Sequence, residues 1–434
     1  MLTRQLQTGT IAVTEHEGVT RARGVPYGKA KRFEVARPVE PFVGVFDARN
    51  PGPACPQLRS RLEWITGPIL YDSPTNEDCL VVSITAPVRA NGLAVMVWFH
   101  GGAYVSGSGE SPKYDGGLLA REGDVVVVNV SYRLGIFGYV SPGVSDDDGN
   151  LGLRDQLLAL RWIRDNIAAF GGDPGNVTVF GQSAGADSIV AMMCCEDAVG
   201  LFHRAIVQSA PLGLGEGRGT LKAAMKAAMI GVLGDTPPVE APIALLLKAQ
   251  SAATLVAQQF GLLGGLPFAP RPGTPPLPPP ATSALRIAAA ARHFELLIGY
   301  TRNDAAAFVA MSTRVGRFAR WPRIRGLIVR AGDATMTNRI FADPAHGLVD
   351  QWRHHGGRAG LYRFDWRPAS APLGACHCIE LPFLFGTPEI WSDAPMLGPR
   401  RWIDPQLATD MRRRWSDFAK NGLADMPAVL QTIS

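Results

Sequence analysis

Between Leu93 and Ala210 the chain alternates short, β-branched apolar runs with helical stretches, and this leaves few folds open. "LAVMVWF" (Leu93–Phe99) and "DVVVVNVSY" (Asp124–Tyr132) read as buried strands. In Leu151–Gly171, Leu157, Leu160, Ile163 and Ile167 share one face, as on an amphipathic helix. "NVTVFG" (Asn176–Gly181) is a further strand, "GADSIVAMMCC" (Gly185–Cys195) a helix, and "RAIVQSA" (Arg204–Ala210) another strand. Strands that alternate with helices must be joined by crossovers. The fold class is therefore α/β, a mostly parallel central sheet with helices on both faces. The pattern resumes at "FELLIGYT" (Phe294–Thr301) and "GLYRFDW" (Gly360–Trp366), and a last helix is expected over Leu407–Gly422.

Outside that pattern the chain changes character. Up to about Phe46 it reads as short strands and turns, with Arg23–Phe33 a Gly- and Pro-punctuated loop. From Leu212 to Ala290 it is rich in Ala, Leu and Gly and includes "PRPGTPPLPPPATS" (Pro270–Ser283), which cannot lie inside a strand. We read 1–434 as one domain, with 212–290 as a variable insertion covering the site. A linker is the plainer alternative.

At 434 residues, 46% of them hydrophobic, the chain can bury a large core. Its net charge of +5, from 43 basic and 38 acidic residues, is spread thinly, and the Arg412–Arg414 run reads as a solvated helix face. Nucleic acid is not expected as a partner. No run reaches transmembrane length, and the N-terminus lacks a signal peptide's apolar core, so the expected location is cytoplasmic. None of the six cysteines forms a C-x-x-C pair, so no metal is expected, and free thiols are the default in a reducing compartment.

The chemistry centres on "GQSAGADS" (Gly181–Ser188). A serine hydroxyl attacks a carbonyl only with a base in reach and donors for the resulting oxyanion. Ser183 falls between a strand and a helix, where Gly181 and Gly185 relieve the crowding of a sharp turn and the Ala184 N–H faces the developing charge. A small-residue packing turn would read the same way locally. "WFHGGAYVSGSG" (Trp98–Gly109) follows a buried strand, and its glycines let backbone N–H groups turn inward. It has neither Gly-Lys-Ser/Thr nor a G-x-G-x-x-G opening a helix, which argues against a phosphate loop. Among eight histidines, His16 lies in the early strands and His100 in the glycine loop. His203, His293, His354 and His355 read as surface, and His346 as part of a turn. His377, in "GACHCIELPFLFG" (Gly374–Gly386), is the best-placed base, with a buried structural histidine as the alternative. Asp304, just past a strand end, is the preferred acid over Asp343 and Glu380, the last read as an ion-pair partner.

Together "VMVWFHGGAYVSGSG", "GNLGLRDQLLALRWIRDNIAAFGGDPGNVTVFGQSAGADS" and "GACHCIELPFLFG" resemble the type-B carboxylesterases, α/β-hydrolases that include bacterial para-nitrobenzyl esterases and cholinesterases. The resemblance runs from about Gly9 to Gly422, with a weak middle. It implies Ser183 as nucleophile, Asp304 as acid and His377 as base, with Gly102, Ala103 and Ala184 as oxyanion-hole donors. It implies a pairing of Cys55 with Cys79, an ion pair of Arg32 with Glu77, no cofactor, and a small-molecule ester as substrate for a monomer or homodimer. Departures are Gln182 and Asp304, where the family usually has Glu, Ala305 for a frequent Gly, and an ending "AVLQTIS" without the usual aromatics. Gln182, Trp64, Tyr104 and Phe308 are candidate pocket residues. The expected function is a serine carboxylic-ester hydrolase for small to medium esters, with short acyl chains preferred. The alternatives are a catalytically weak binding protein, or an amidase or acyltransferase on the same scaffold.

Overall fold

The computed structural model describes residues 1–71, 73–142, 149–214, 217–312, 322–424 and 431–434. A twelve-stranded mixed sheet runs through the protein. In chain order its principal strands are β1 (Leu2–Leu6), β2 (Gly9–His16), β3 (Val19–Pro26), β4 (Val81–Pro87), β5 (Leu93–Phe99) and β6 (Val126–Val130). They continue with β7 (Gly172–Gln182), β8 (Arg204–Gln208), β9 (Glu295–Thr301), β10 (Ala359–Phe364) and β11 (Gln431–Ile433). The spatial order is β1-β2-β3-β4-β6-β5-β7-β8-β9-β10-β11, with Val45–Asp47 paired to β2. From β1 to β6 the pairs are antiparallel, and from β6 to β11 they are parallel.

β5 shows why this sheet is buried on both faces. Val95, Val97 and Phe99 enter one hydrophobic cluster, while Ala94, Met96 and Trp98 enter the other. The period of two sends successive side chains to opposite layers. Trp98 packs on Phe385, Phe180 and Tyr114 with ring centroids 4.7, 5.0 and 5.4 Å away. Each side chain buried this way contributes roughly 1.5–3 kcal/mol.

The helices follow the sequence reading, with shifted ends. α1 (Leu151–Asn166) tightens into a 3-10 turn over Ile167–Phe170 and stops at Gly171, where φ is 74°. α2 is Ala184–Met193. Within 212–290 lie α3 (Gly219–Leu233) and α4 (Ile243–Ala257), with turns through the proline cluster, and α5 (Ser283–His293) runs across its end. α6 (Pro322–Thr337) and α7 (Asp343–His354) precede β10. α8 (Pro405–Asn421) begins two residues before the expected start, because Pro405 follows Asp404, whose carboxylate accepts from the N–H groups of Gln406 and Leu407.

Several expectations are corrected. Arg23–Pro26 is strand, not loop, because β3 pairs with β4 through Pro26 and Val81. His346 lies within α7. Arg412 is buried, bonding Glu122 and the Phe383 carbonyl, so only part of the arginine run faces solvent. Of the ending "AVLQTIS", residues 428–430 lie outside the described residues, and Gln431–Ile433 adds β11 to the sheet edge. Among the described residues no helix is long and apolar enough to cross a membrane.

Candidate active site

The strand order sets the location. From β5 the chain goes to β6 on one side, then returns to β7 on the other. The carboxyl ends of β5 and β7 therefore flank a topological switch point, where open α/β sheets form a crevice. β5 ends at Phe99 beside Gly181 of β7, so the glycine loop after β5 and the turn after β7 are adjacent.

Ser183 caps β7 with φ 56° and ψ −121°, a backbone state that costs about 1–3 kcal/mol. The turn is held by the Ser183 N–H donating to the Gln208 carbonyl and by Asp187 N–H donating to the Ser183 carbonyl, both at 2.9 Å. Gly185 is required by contact: a Cβ there would overlap the Phe99 carbonyl oxygen. In the neighbouring loop Gly102 and Ala103 take φ of 116° and 55°. Val105 and Ser106 N–H groups fold back onto the Gly102 carbonyl at 3.0 and 3.1 Å. Among the described residues no hydrogen bond uses the N–H of Gly102, Ala103 or Ala184. Ala184 opens α2, where the helix leaves its first N–H groups free and carries partial positive charge.

Asp304 and His377 come from later strands. Asp304 follows β9, fully buried, and one carboxylate oxygen accepts from Ser209 Oγ at 2.7 Å and from the Thr301 N–H at 2.9 Å. Its other oxygen is 2.5 Å from His377 Nδ1. The loop carrying His377 is pinned to Asn303: Asn303 N–H donates to the Ala375 carbonyl, and Ala375 N–H to Asn303 Oδ1. Phe308 meets the imidazole edge-on at 5.0 Å, and Phe341 lies at 5.5 Å. With Asp304 accepting the Nδ1 proton, Nε2 is left as an acceptor. It is met by the Gln182 amide at 3.0 Å. Among the described residues no hydrogen bond joins Ser183 Oγ to the imidazole.

Ser183, His377, Gln182, Gly102, Ala103 and Phe308 line one cavity, about 50 Å³ in volume. Trp64 and Tyr104 are not in that lining. Trp64 is 44% exposed on the short helix Glu63–Thr66, and the preceding Leu62 and the helix's last residue, Thr66, line the cavity instead. Tyr104 is buried behind the turn, with its hydroxyl donating to Asp187 at 2.6 Å. Arg61 also lines the cavity and was not singled out from the sequence.

Cys55 and Cys79 are buried free thiols, so the pairing implied by the resemblance is not formed. Arg32 and Glu77 do pair, with Nε 2.9 Å from the carboxylate. Glu380 makes no ion pair among the described residues. It accepts from Gln208 at 3.3 Å, its second oxygen is unpartnered, and burial, aided by the nearby Asp304 charge, pushes its pKa up to about 8. Burial without an opposite charge, rather than pairing, defines this group. His100, also buried, is pushed down to about 4 and stacks on Tyr132.

Comparisons with known proteins agree with this architecture. Residues 5–319 match the model of the carboxylesterase family. A probable N-octanoylanthranilate hydrolase of Rhodococcus erythropolis is 40% identical, covering 94% of this chain and 91% of its own length. The para-nitrobenzyl esterase of Bacillus subtilis is 34% identical over 98% of this chain and 90% of its own. A solved thermophilic para-nitrobenzyl esterase superposes with a TM-score of 0.82 at 32% identity, over 99% of this chain and 94% of that one. The chain thus belongs to the carboxylesterase family and is an ester hydrolase of α/β fold.

Proposed function

We propose that the protein is a serine hydrolase that cleaves small to medium carboxylic esters through an acyl-enzyme on Ser183. The observation that carries this is one cavity containing a serine on a strained strand-to-helix turn and an imidazole whose Nδ1 is 2.5 Å from a buried carboxylate. In this reading His377 Nε2 leaves the Gln182 amide and accepts the Ser183 proton as Oγ attacks the carbonyl. The tetrahedral oxyanion is held by the N–H groups of Gly102, Ala103 and Ala184. The imidazolium, steadied by Asp304, returns its proton to the leaving oxygen, and water repeats the sequence to release the acid. A hydrogen bond made only once substrate displaces Gln182 is consistent with the looser contacts of ligand-free sites.

The small cavity favours short acyl chains. A second reading, hydrolysis of aryl amides, is favoured by the 40% identical relative named for N-octanoylanthranilate. The segment 212–290 is read as the cover, since Arg61 and Arg32 bond its carbonyls. Six free thiols fit a reducing compartment such as the cytoplasm. A fluorophosphonate probe tests the nucleophile. The native protein is expected to label and Ser183→Ala not to. Equal labelling of the two would remove Ser183 from the reaction.

A further inference from the structure

The cavity that holds Ser183 has an unbalanced charge. Among the described residues that line it, Arg61 alone carries a fixed charge. Gln182, which could have balanced it with a carboxylate, is a neutral amide. Asp304 lies behind the imidazole and is occupied by His377, Ser209 and the Thr301 N–H. The acid nearest in the chain, Glu63, faces Arg59 at 4.0 Å. Among the described residues no carboxylate lies within ion-pair distance of Arg61.

Its position gives the charge a direction. The guanidinium stands 5.5 Å from the centroid of Phe308, and that ring stands 5.0 Å from the His377 imidazole. One aromatic ring therefore touches both the cation and the base. An imidazolium that returns a proton must face the departing atom, so this is the leaving-group side. Arg61 is exposed, and its one hydrogen bond among the described residues runs from Nη2 to the Gly265 carbonyl at 2.7 Å. A guanidinium has five N–H donors in a planar fork that matches a carboxylate. Donors remain for a ligand while the Gly265 bond holds the side chain across Phe308.

We infer that Arg61 is a specificity-determining residue, selecting esters whose leaving group carries a carboxylate. The inference rests on the hydrolase reading above and adds the substrate's charge to it. Attraction by the exposed cation draws the anion toward the cleft, and a two-pronged hydrogen bond then seats it.

Three acetate esters of matched shape test it: 4-acetoxybenzoate, its neutral methyl ester, and the 4-acetoxy-N,N,N-trimethylanilinium cation. The readout is the ratio of kcat/KM for the anion to that for the neutral ester, which cancels any general loss of active protein. In Arg61→Ala that ratio is expected to fall about tenfold. Arg61→Glu is expected to favour the cation, and Arg61→Lys to recover part of the native ratio. Ratios that stay within about twofold of native in both Arg61→Ala and Arg61→Glu overturn the inference while leaving the hydrolase reading intact. An equal loss on all three esters also overturns it, since Arg61 would then only hold the loop. If native protein turns over none of the esters and takes no fluorophosphonate label, the hydrolase reading falls and this inference with it.

Discussion

Ser183 is held where few non-glycine residues sit, and its neighbours bear the cost. Gly185 permits α2 to start against the Phe99 carbonyl, and the Gln208 carbonyl fixes the Ser183 N–H. The same economy holds at Asp304, whose carboxylate accepts from Ser209, Thr301 and His377 at once. A carboxylate so bonded fixes the imidazole tautomer. Asp304→Asn is therefore expected to lower kcat on the order of 10³–10⁴-fold with the fold retained, measurable by ester turnover beside circular dichroism. A loss under about tenfold would assign the orienting role elsewhere. The positions of Ser183, the glycine loop and Asp304 were legible because each follows a strand end marked by local pattern. The contact between Gln182 and His377 Nε2 was not, because it joins side chains 195 positions apart. Nor was the direction of Trp64 and Tyr104, since the orientation of a side chain depends on the turn that carries it.

At the scale of elements, the segment 212–290 is tied down by single side chains from the first part of the chain. Arg32 bonds Glu77 while its Nη1 donates to the carbonyls of Pro238, Val239 and Ala241, at 3.2, 3.0 and 2.6 Å. Asn150 likewise bonds the backbone of Arg271 and Thr274 in the proline cluster. These contacts explain how a segment with little strand or sheet pairing is held to the rest of the chain. Arg32→Ala is expected to cost about 1–3 kcal/mol, and to open the turn between α3 and α4 to proteolysis. Unchanged urea midpoints and cleavage patterns would show that the strap is dispensable. Element types were legible where periodicity was strong, as in β5, α1 and α8. β3 was not legible because Gly24 and Pro26 carry loop signals that pairing with β4 overrides. The helix at Asp343–His354 escaped because Asp-Pro, read as a turn, here starts α7 with Pro at its first turn.

Across the whole molecule, a carboxyl far from water makes stability depend on pH. Glu380 is 1% exposed, and burial lifts it from its ordinary 4.5 to about 8. The folded chain thus keeps a proton there that the unfolded chain gives up. The stability this contributes is complete below the unfolded pKa and is lost as pH rises toward about 8. Replacement by Glu380→Gln keeps the hydrogen-bonding shape without the titration. Urea midpoints of the variant are expected to decline less across that interval, where one proton contributes at most about 1.4 kcal/mol per pH unit. Identical slopes in the two proteins would place the pH dependence on other groups.

The sequence by itself determined the α/β class, most of the parallel half of the sheet, and the strand-end loops that carry Ser183 and Asp304. Those follow from short-range rules: hydrophobic period, turn residues, and the glycines a tight turn needs. Only the tertiary structure decided which side chains share a cavity. It turned Gln182 onto His377, sent Tyr104 to Asp187, and, among the described residues, buried Glu380 without an ion pair and left Arg61 as the one fixed charge lining the serine's cavity. Such relations depend on the packing of segments distant in the chain, and no local pattern encodes the direction in which a loop presents its side chains.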